Sequence, residues 1–142
     1  MKATLKSIYD QIKTASVIKW IDEDYGQIDN YTDRPPVQFP AALVSINQNY
    51  KSAGGTIYDV TTTIKVRVAH DRFSQRSAMA PEQAITETLN KLSQAEAVRD
   101  ALQGFENDSC GQLYLKGFET EPRSDGISVK LITLESTHEE IF

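Results

Sequence analysis

Val60-Thr61-Thr62-Thr63-Ile64-Lys65-Val66-Arg67-Val68-Ala69 is the most regular run in the chain. Val60, Thr62, Ile64, Val66 and Val68 alternate with Thr61, Thr63, Lys65, Arg67 and Ala69. Period two is the spacing of a strand with one face buried and the other wet, so residues 56–70 are predicted as a strand. Upstream, Leu43, Val44 and Ile46 centre a second strand over 41–50. Lys51-Ser52-Ala53-Gly54-Gly55 lies between the two. A short, glycine-bearing connection between two such runs predicts a long β-hairpin.

Working outward, residues 3–15 carry Leu5, Ile8, Tyr9, Ile12 and Ala15 at helical spacing, with Lys2, Lys6, Asp10 and Lys13 elsewhere. That is an amphipathic helix. Val17-Ile18-Lys19-Trp20-Ile21 is β-branched and aromatic and reads as a short strand. Residues 22–40 lose periodicity and hold three prolines, at 35, 36 and 40. A loop of this length inside a compact domain is often functional. Tyr25, Ile28, Tyr31, Val37 and Phe39 are expected to pin it to the body.

Downstream, 71–80 is a polar connection and Pro81 suits the first position of a helix. Ile85, Leu89 and Leu92 follow at helical spacing. Ser93-Gln94-Ala95-Glu96 matches a capping box, so the helix is expected to break at 93 and restart, burying Ala95, Val98, Ala101 and Leu102. Gly104 is placed as its C-terminal cap. Residues 112–121 and 127–136 form a second hairpin around Ser124-Asp125-Gly126. Strands in hairpin pairs separated by helix imply an α+β fold, a mainly antiparallel sheet with helices packed on one face. Neither repeats nor a linker divides the chain, so 1–142 is read as one domain.

The 142 residues suffice for one core, and 39% hydrophobic with 25% charged residues is ordinary for a globular protein. No apolar run reaches the ~18 residues of a membrane span. The start, Met1-Lys2-Ala3-Thr4-Leu5-Lys6, lacks the apolar core of a signal peptide. Cys110 is the only cysteine, which excludes an intrachain disulfide and fits a reducing, cytoplasmic setting. The net charge of −5 is uneven: −1 over residues 1–40, +3 over 41–80 and −7 over 81–142. An acidic total disfavours nonspecific nucleic-acid binding, since that affinity comes from Lys and Arg displacing counterions. A basic middle and an acidic C-terminal part can attract each other between copies.

The residues give little sign of chemistry. There is no Gly-x-Ser-x-Gly elbow, and one Cys with two distant His cannot supply a zinc spacing. His70 and Asp71 are neighbours on a strand and point opposite ways. Asp22, Glu23, Asp24, Asp29 and Asp33 crowd one loop, and hard cations take oxygen ligands. The calcium-loop pattern nevertheless fails around Tyr25-Gly26, so solvated loop acids are the simpler reading. No catalytic residue, cofactor or metal is assigned. Lys65, Arg67, Arg72 and Arg76 form the one basic cluster. With Tyr25 and Tyr31 of the loop they are the candidate interface residues. A plain solvated face is the alternative for the basic four.

Trp20-Ile21-Asp22 followed by Tyr25-Gly26-Gln27, then Arg34-Pro35-Pro36-Val37 and Pro40-Ala41-Ala42-Leu43-Val44, resembles small proteins encoded among head and tail genes of Bacteroidetes phages and prophages. The order of helix, long loop, hairpin, helix and closing hairpin is similar to the tail terminator (tail-completion) family of long-tailed phages. The motif spans about residues 20–44, and the element order nearly the whole chain. The resemblance implies a non-enzymatic virion structural protein made in the bacterial cytoplasm. Such subunits form a ring, commonly a hexamer, that caps the tail tube and meets the head connector. The long hairpin would offer an edge for strand addition. The basic residues at 65–76 and the acidic C-terminal third would meet at a head-to-tail contact. The acidic excess would keep a channel from gripping DNA. The other reading is a small cytosolic protein-binding module that uses loop 22–40.

Overall fold

The computed structural model describes residues 1–15, 17–71, 81–107 and 110–142. The elements run α1 (Lys2–Thr14), β1 (Trp20–Glu23), β2 (Ala41–Gly54), β3 (Ile57–His70), α2 (Pro81–Leu102), β4 (Glu106–Asn107), β5 (Gly111–Gln112), β6 (Tyr114–Glu121) and β7 (Ser128–Ile141). Five strands form one sheet in the order β1-β2-β3-β7-β6, and β4 and β5 form a two-stranded ribbon. The fold is α+β, and the large sheet is mixed. β2–β3, β3–β7 and β6–β7 are antiparallel, whereas β1 lies parallel to β2.

The alternation in β3 divides the sheet into two faces. Val44, Ile64, Val66, Val68, Ile132 and Leu134 pack with Ile8 and Ile12 of α1 and Ala95, Val98 and Leu102 of α2. Both helices therefore cover the same face. Each fully buried Ile or Leu there contributes roughly 1.5–3 kcal/mol of transfer free energy. On the opposite face Leu43, Ala69, Ile127 and Val129 meet Ile28, with Trp20, Tyr31, Val37 and Phe39 packed around them. The polypeptide after β1 crosses this second face before entering β2. A parallel β1–β2 pair requires such a crossover, because no hairpin can join parallel strands.

Several expectations need correction. α2 runs unbroken from Pro81 to Leu102. Ser93 is exposed mid-helix and cannot cap. The stripe Ala95, Val98, Leu102 is buried only if helical phase is kept, and its packing outweighs a cap worth ~1 kcal/mol. Ile85 and Leu89, placed by their spacing on a core-facing stripe, are 60% and 57% exposed. The first strand is Trp20–Glu23 rather than 17–21, so it takes the start of the predicted loop. Ile28, Tyr31, Val37 and Phe39 pack as expected, but Tyr25 is exposed. β2 extends to Gly54 and β7 to Ile141, both longer than their apolar patterns. Gly54 and Gly55 turn the first hairpin at φ 118° and 59°, a region L-residues rarely enter. Gly104, at φ 74°, closes α2 as expected.

Candidate functional site

Two features stand out: a charged clip on the loop-covered face, and an open arm made by the central strands.

The clip is built on Arg67. Its position in β3 places it on the face opposite the helices, in the row that continues through Leu43 of β2 and Leu131 of β7. The loop lies over that row, so the side chain is 11% exposed. Its guanidinium donates to Asp29 as a fork, Nη2 to Oδ1 at 2.9 Å and Nη1 to Oδ2 at 3.0 Å. It also reaches Asp24 Oδ2 at 3.2 Å and Glu121 Oε2 at 2.7 Å. Arg123, in the β6–β7 turn and 9% exposed, sits beside it. Arg123 donates to Asp29 Oδ1 at 2.9 Å, to Glu121 Oε2 at 2.8 Å, and as a fork to Asp125 at 3.0 and 2.7 Å. It also donates to the Ile28 carbonyl. Tyr31 donates its hydroxyl to Asp125 at 2.8 Å. Planar Arg–carboxylate forks of this kind fix geometry as well as charge.

The electrostatics follow from that geometry. The hydrogen bond from Arg67 holds the Asp29 carboxyl below its usual range. Burial acts to raise Glu121, but the bonds from Arg67 and Arg123 outweigh it and the net shift is downward. The fork from Arg123 pulls Asp125 far down. Burial acts to lower Arg67, and its bonds to Asp29 and Glu121 override it. These groups stay charged across the neutral range, so they hold the loop and are not poised to exchange protons near pH 7. A cleft of about 640 Å³ opens beside the clip, lined in part by Asp29, Tyr31, Asp33, Glu121 and Arg123.

Of the candidate interface residues, the structure brings Arg67 and Tyr31 together through Asp125, Arg123 and their shared acids. Lys65 is exposed two residues before Arg67 on the same face. Tyr25 is 68% exposed at the turn beyond β1. Arg72 and Arg76 lie outside the described residues. Arg67 does not share the wet face assigned to it with Lys65, since the loop covers it. Arg123, Glu121 and Asp125 were not picked out from the sequence, where they read only as turn and strand-end residues.

Several other polar groups are tied into the fold, although Thr4 Oγ1, Trp20 Nε1 and His70 Nδ1 are buried without a hydrogen-bond partner among the described residues. Gln27, 2% exposed, donates Nε2 to the Glu23 carbonyl at 2.9 Å and accepts from the Tyr25 amide at 3.0 Å. His70 faces α2, with Nε2 2.7 Å from Gln94 Oε1, and burial lowers its pKa. Asp71 pairs with Arg34 at 3.1 Å. Cys110 is buried, and its carbonyl accepts from Ser136 Oγ at 2.7 Å. Among the described residues no three His, Cys, Asp or Glu side chains converge as a metal-ligand set. No helix among them is long and apolar enough to cross a membrane.

The arm arises because β1 and β6 are short. β1 pairs with β2 only as far as Val44, and β6 with β7 only as far as Glu135. β2, β3 and β7 continue together beyond these points to Gly54, Ile57 and Ile141. At the tip Tyr50, Tyr58 and Phe142 stack edge to face, with centroids 5.5–6.4 Å apart. Tyr50 and Phe142 remain 50% and 65% exposed. Exposed aromatic groups rimmed by polar residues are characteristic of contact surfaces.

No known family profile matches this sequence, and no curated protein matches it. The fold is similar to that of a chain in the "virion of native gene transfer agent (GTA) particle". The TM-score is 0.56 at 13% identity, over 94% of this chain and 92% of that one. At that identity the likeness is one of fold.

Proposed function

We propose that this chain is a virion structural protein of tail-terminator or head–tail joining type. It acts by assembling into a ring at the end of a tail tube and has no catalytic step. The observation that carries this reading is the fold likeness to a virion chain over nearly the full length of both. The Trp20–Val44 motif and the element order point the same way, and the open arm supplies a surface suited to repeated contacts. On this reading the partners are further copies, hexameric by analogy with the family, together with tail-tube and connector proteins. The protein is made in the host cytoplasm and ends in the neck of the particle. Light scattering of the purified chain over a concentration series, with negative-stain images, tests it. A discrete multiple of the 15.9 kDa chain with ring-shaped particles is expected. A monomer at every concentration would overturn the ring.

Exposure of Tyr25 favours a second reading, in which loop 22–40 recognises another protein. That reading, a small cytosolic binding module, expects a stable monomer or dimer, with Tyr25→Ala abolishing capture of a partner from lysate while the fold survives.

A further inference from the structure

We infer that copies of this chain join edge to edge through their arms, with β2 of one copy adding in parallel to β7 of the next. This deepens the assembly reading above and rests on it.

Among the described residues, both sides of the arm lack a neighbouring strand, and Gly111 of β5 approaches the β7 edge at the Thr137 carbonyl. Beyond Val44, no strand among the described residues pairs with the outer side of β2. Beyond Glu135, none pairs with the outer side of β7. The direction of the free backbone groups can be worked out. The Val44 carbonyl accepts from the Asp24 amide, on the β1 side. Groups on a strand alternate in direction with period two, so Ile46, Gln48, Tyr50 and Ser52 also present N–H and C=O outward. On the other side, the Phe142 amide donates inward to the Thr56 carbonyl. Thr137, Glu139 and Ile141 therefore point outward. Long open edges of this kind are templates for further strands, and proteins ordinarily blunt or cover them. This pair runs for about 20 Å.

The two edges fit each other in direction, phase and charge. β2 and β7 are each antiparallel to β3, so they run the same way. A neighbour that keeps its helices on the same side of a continuous sheet thus presents β2 parallel to β7. In a parallel ladder an outward residue bonds to the two residues flanking its opposite number. Glu139 set opposite Lys51 of a second copy would reach the outward groups of that copy's Tyr50 and Ser52. Lys51, Asp59 and Glu139 form one row across the arm. The added Lys51 would extend this row and sit beside Glu139 on the same face. Across residues 45–54 of β2 the only charge is Lys51, while residues 135–142 carry Glu135, Glu139 and Glu140. The contact is heterologous: each copy gives a different edge on each side, so a closed rotation leaves no free edge. The aromatic tip of each copy would then lie against that of the next.

Ser52→Pro removes the outward N–H that this register aims at the Glu139 carbonyl and leaves the inward ladder to β3 alone, since proline is tolerated where its missing donor faces away from the sheet. Lys51→Glu and Glu139→Lys each place like charges across the joint. Light scattering on these variants is the test, with circular dichroism and the melting temperature confirming that each is folded. The three single variants are expected to dissociate to monomer at concentrations where the unaltered chain is assembled, an association at least tenfold weaker. Lys51→Glu with Glu139→Lys in one chain should restore assembly. If Ser52→Pro and Lys51→Glu assemble like the unaltered chain, this inference is overturned, while ring assembly through another surface stands. If the unaltered chain is a monomer throughout, both fall, and the edges are left to a strand from a different protein.

Discussion

Arg67 and Arg123 share two acceptor atoms, Asp29 Oδ1 and Glu121 Oε2, each within 2.9 Å of both guanidinium groups. One arginine comes from the centre of the sheet, the other from a turn. The two acids belong to the crossing loop and to the end of an edge strand. Three segments distant in sequence, around Asp29, Arg67 and Glu121–Arg123, thus meet at two oxygen atoms.

Because the acceptors are shared, the arginines are expected to couple. Arg67→Met removes three ion pairs from a side chain that is 11% exposed. Breaking a buried pair costs roughly 3–5 kcal/mol. Asp29 is 44% exposed, so solvent screens part of this and about 2 kcal/mol is expected. Arg123→Met should cost less, since Arg67 still serves Asp29 and Glu121. The double variant leaves both acids uncompensated and should cost more than the sum, by about 1 kcal/mol. Urea denaturation of the four chains measures the coupling. Strict additivity would mean that the shared bonds carry no energy.

The same clip sets an acid limit. Asp29, Glu121 and Asp125 have folded-state pKa values below their ordinary 3.8, 4.5 and 3.8. Below those values the unfolded chain takes up protons that the folded chain refuses. Their contribution is complete above about pH 5 and is lost as pH falls through the lowered values. Trp20 packs in the cluster under the loop. Its emission should hold steady from pH 7 to 5 and shift to the red below pH 4, ahead of the loss of helical circular dichroism. A single coincident transition would show that the loop does not open separately.

His70 contributes in a different window. Burial lowers its pKa from 6.5, with Lys91 and Lys130 adding to the effect against the bond to Gln94. The unfolded chain is protonated first as pH falls, so stability drops from about pH 6.5 downward. His70→Asn keeps a polar group near Gln94 but cannot titrate. Its urea midpoint should be flatter than that of the unaltered chain between pH 7 and 5. Equal slopes would exclude His70 as the source.

Ser93→Ala separates the two readings of α2. A broken helix capped at Ser93 would lose ~1 kcal/mol. In the continuous helix Ser93 is an exposed interior residue, and alanine is the better helix former by a few tenths of a kcal/mol. Unchanged or slightly raised stability is expected in thermal denaturation.

Most of the framework was legible because it rests on periodicity. The alternation from Val60 to Ala69 gave β3 and both faces of the sheet, and the apolar spacing of α1 gave its buried stripe. The direction of β1 was not legible: four residues carry no sign of a parallel partner. The continuity of α2 was missed because a local capping pattern competed with packing that only the folded sheet supplies. The clip was invisible for a related reason. Asp29 and Arg123 are 94 positions apart, and each looks like an ordinary loop residue alone. Exposure of Ile85 and Leu89 likewise depends on which turns of α2 find packing partners, which helical spacing alone does not carry.

The strand order also has a kinetic consequence. β2–β3 and β6–β7 are each local hairpins, but the β3–β7 seam that joins them pairs Ile57 with Ile141 and His70 with Ser128. Closing that seam draws together residues 58 to 84 positions apart, and long-range pairings of this kind slow folding. Each hairpin can form early, yet neither has a complete core until the seam closes. The nascent chain must therefore be synthesised through β7 before β3 receives its second neighbour. Until then the alternating run Val60–Val68 presents one bare edge to its surroundings.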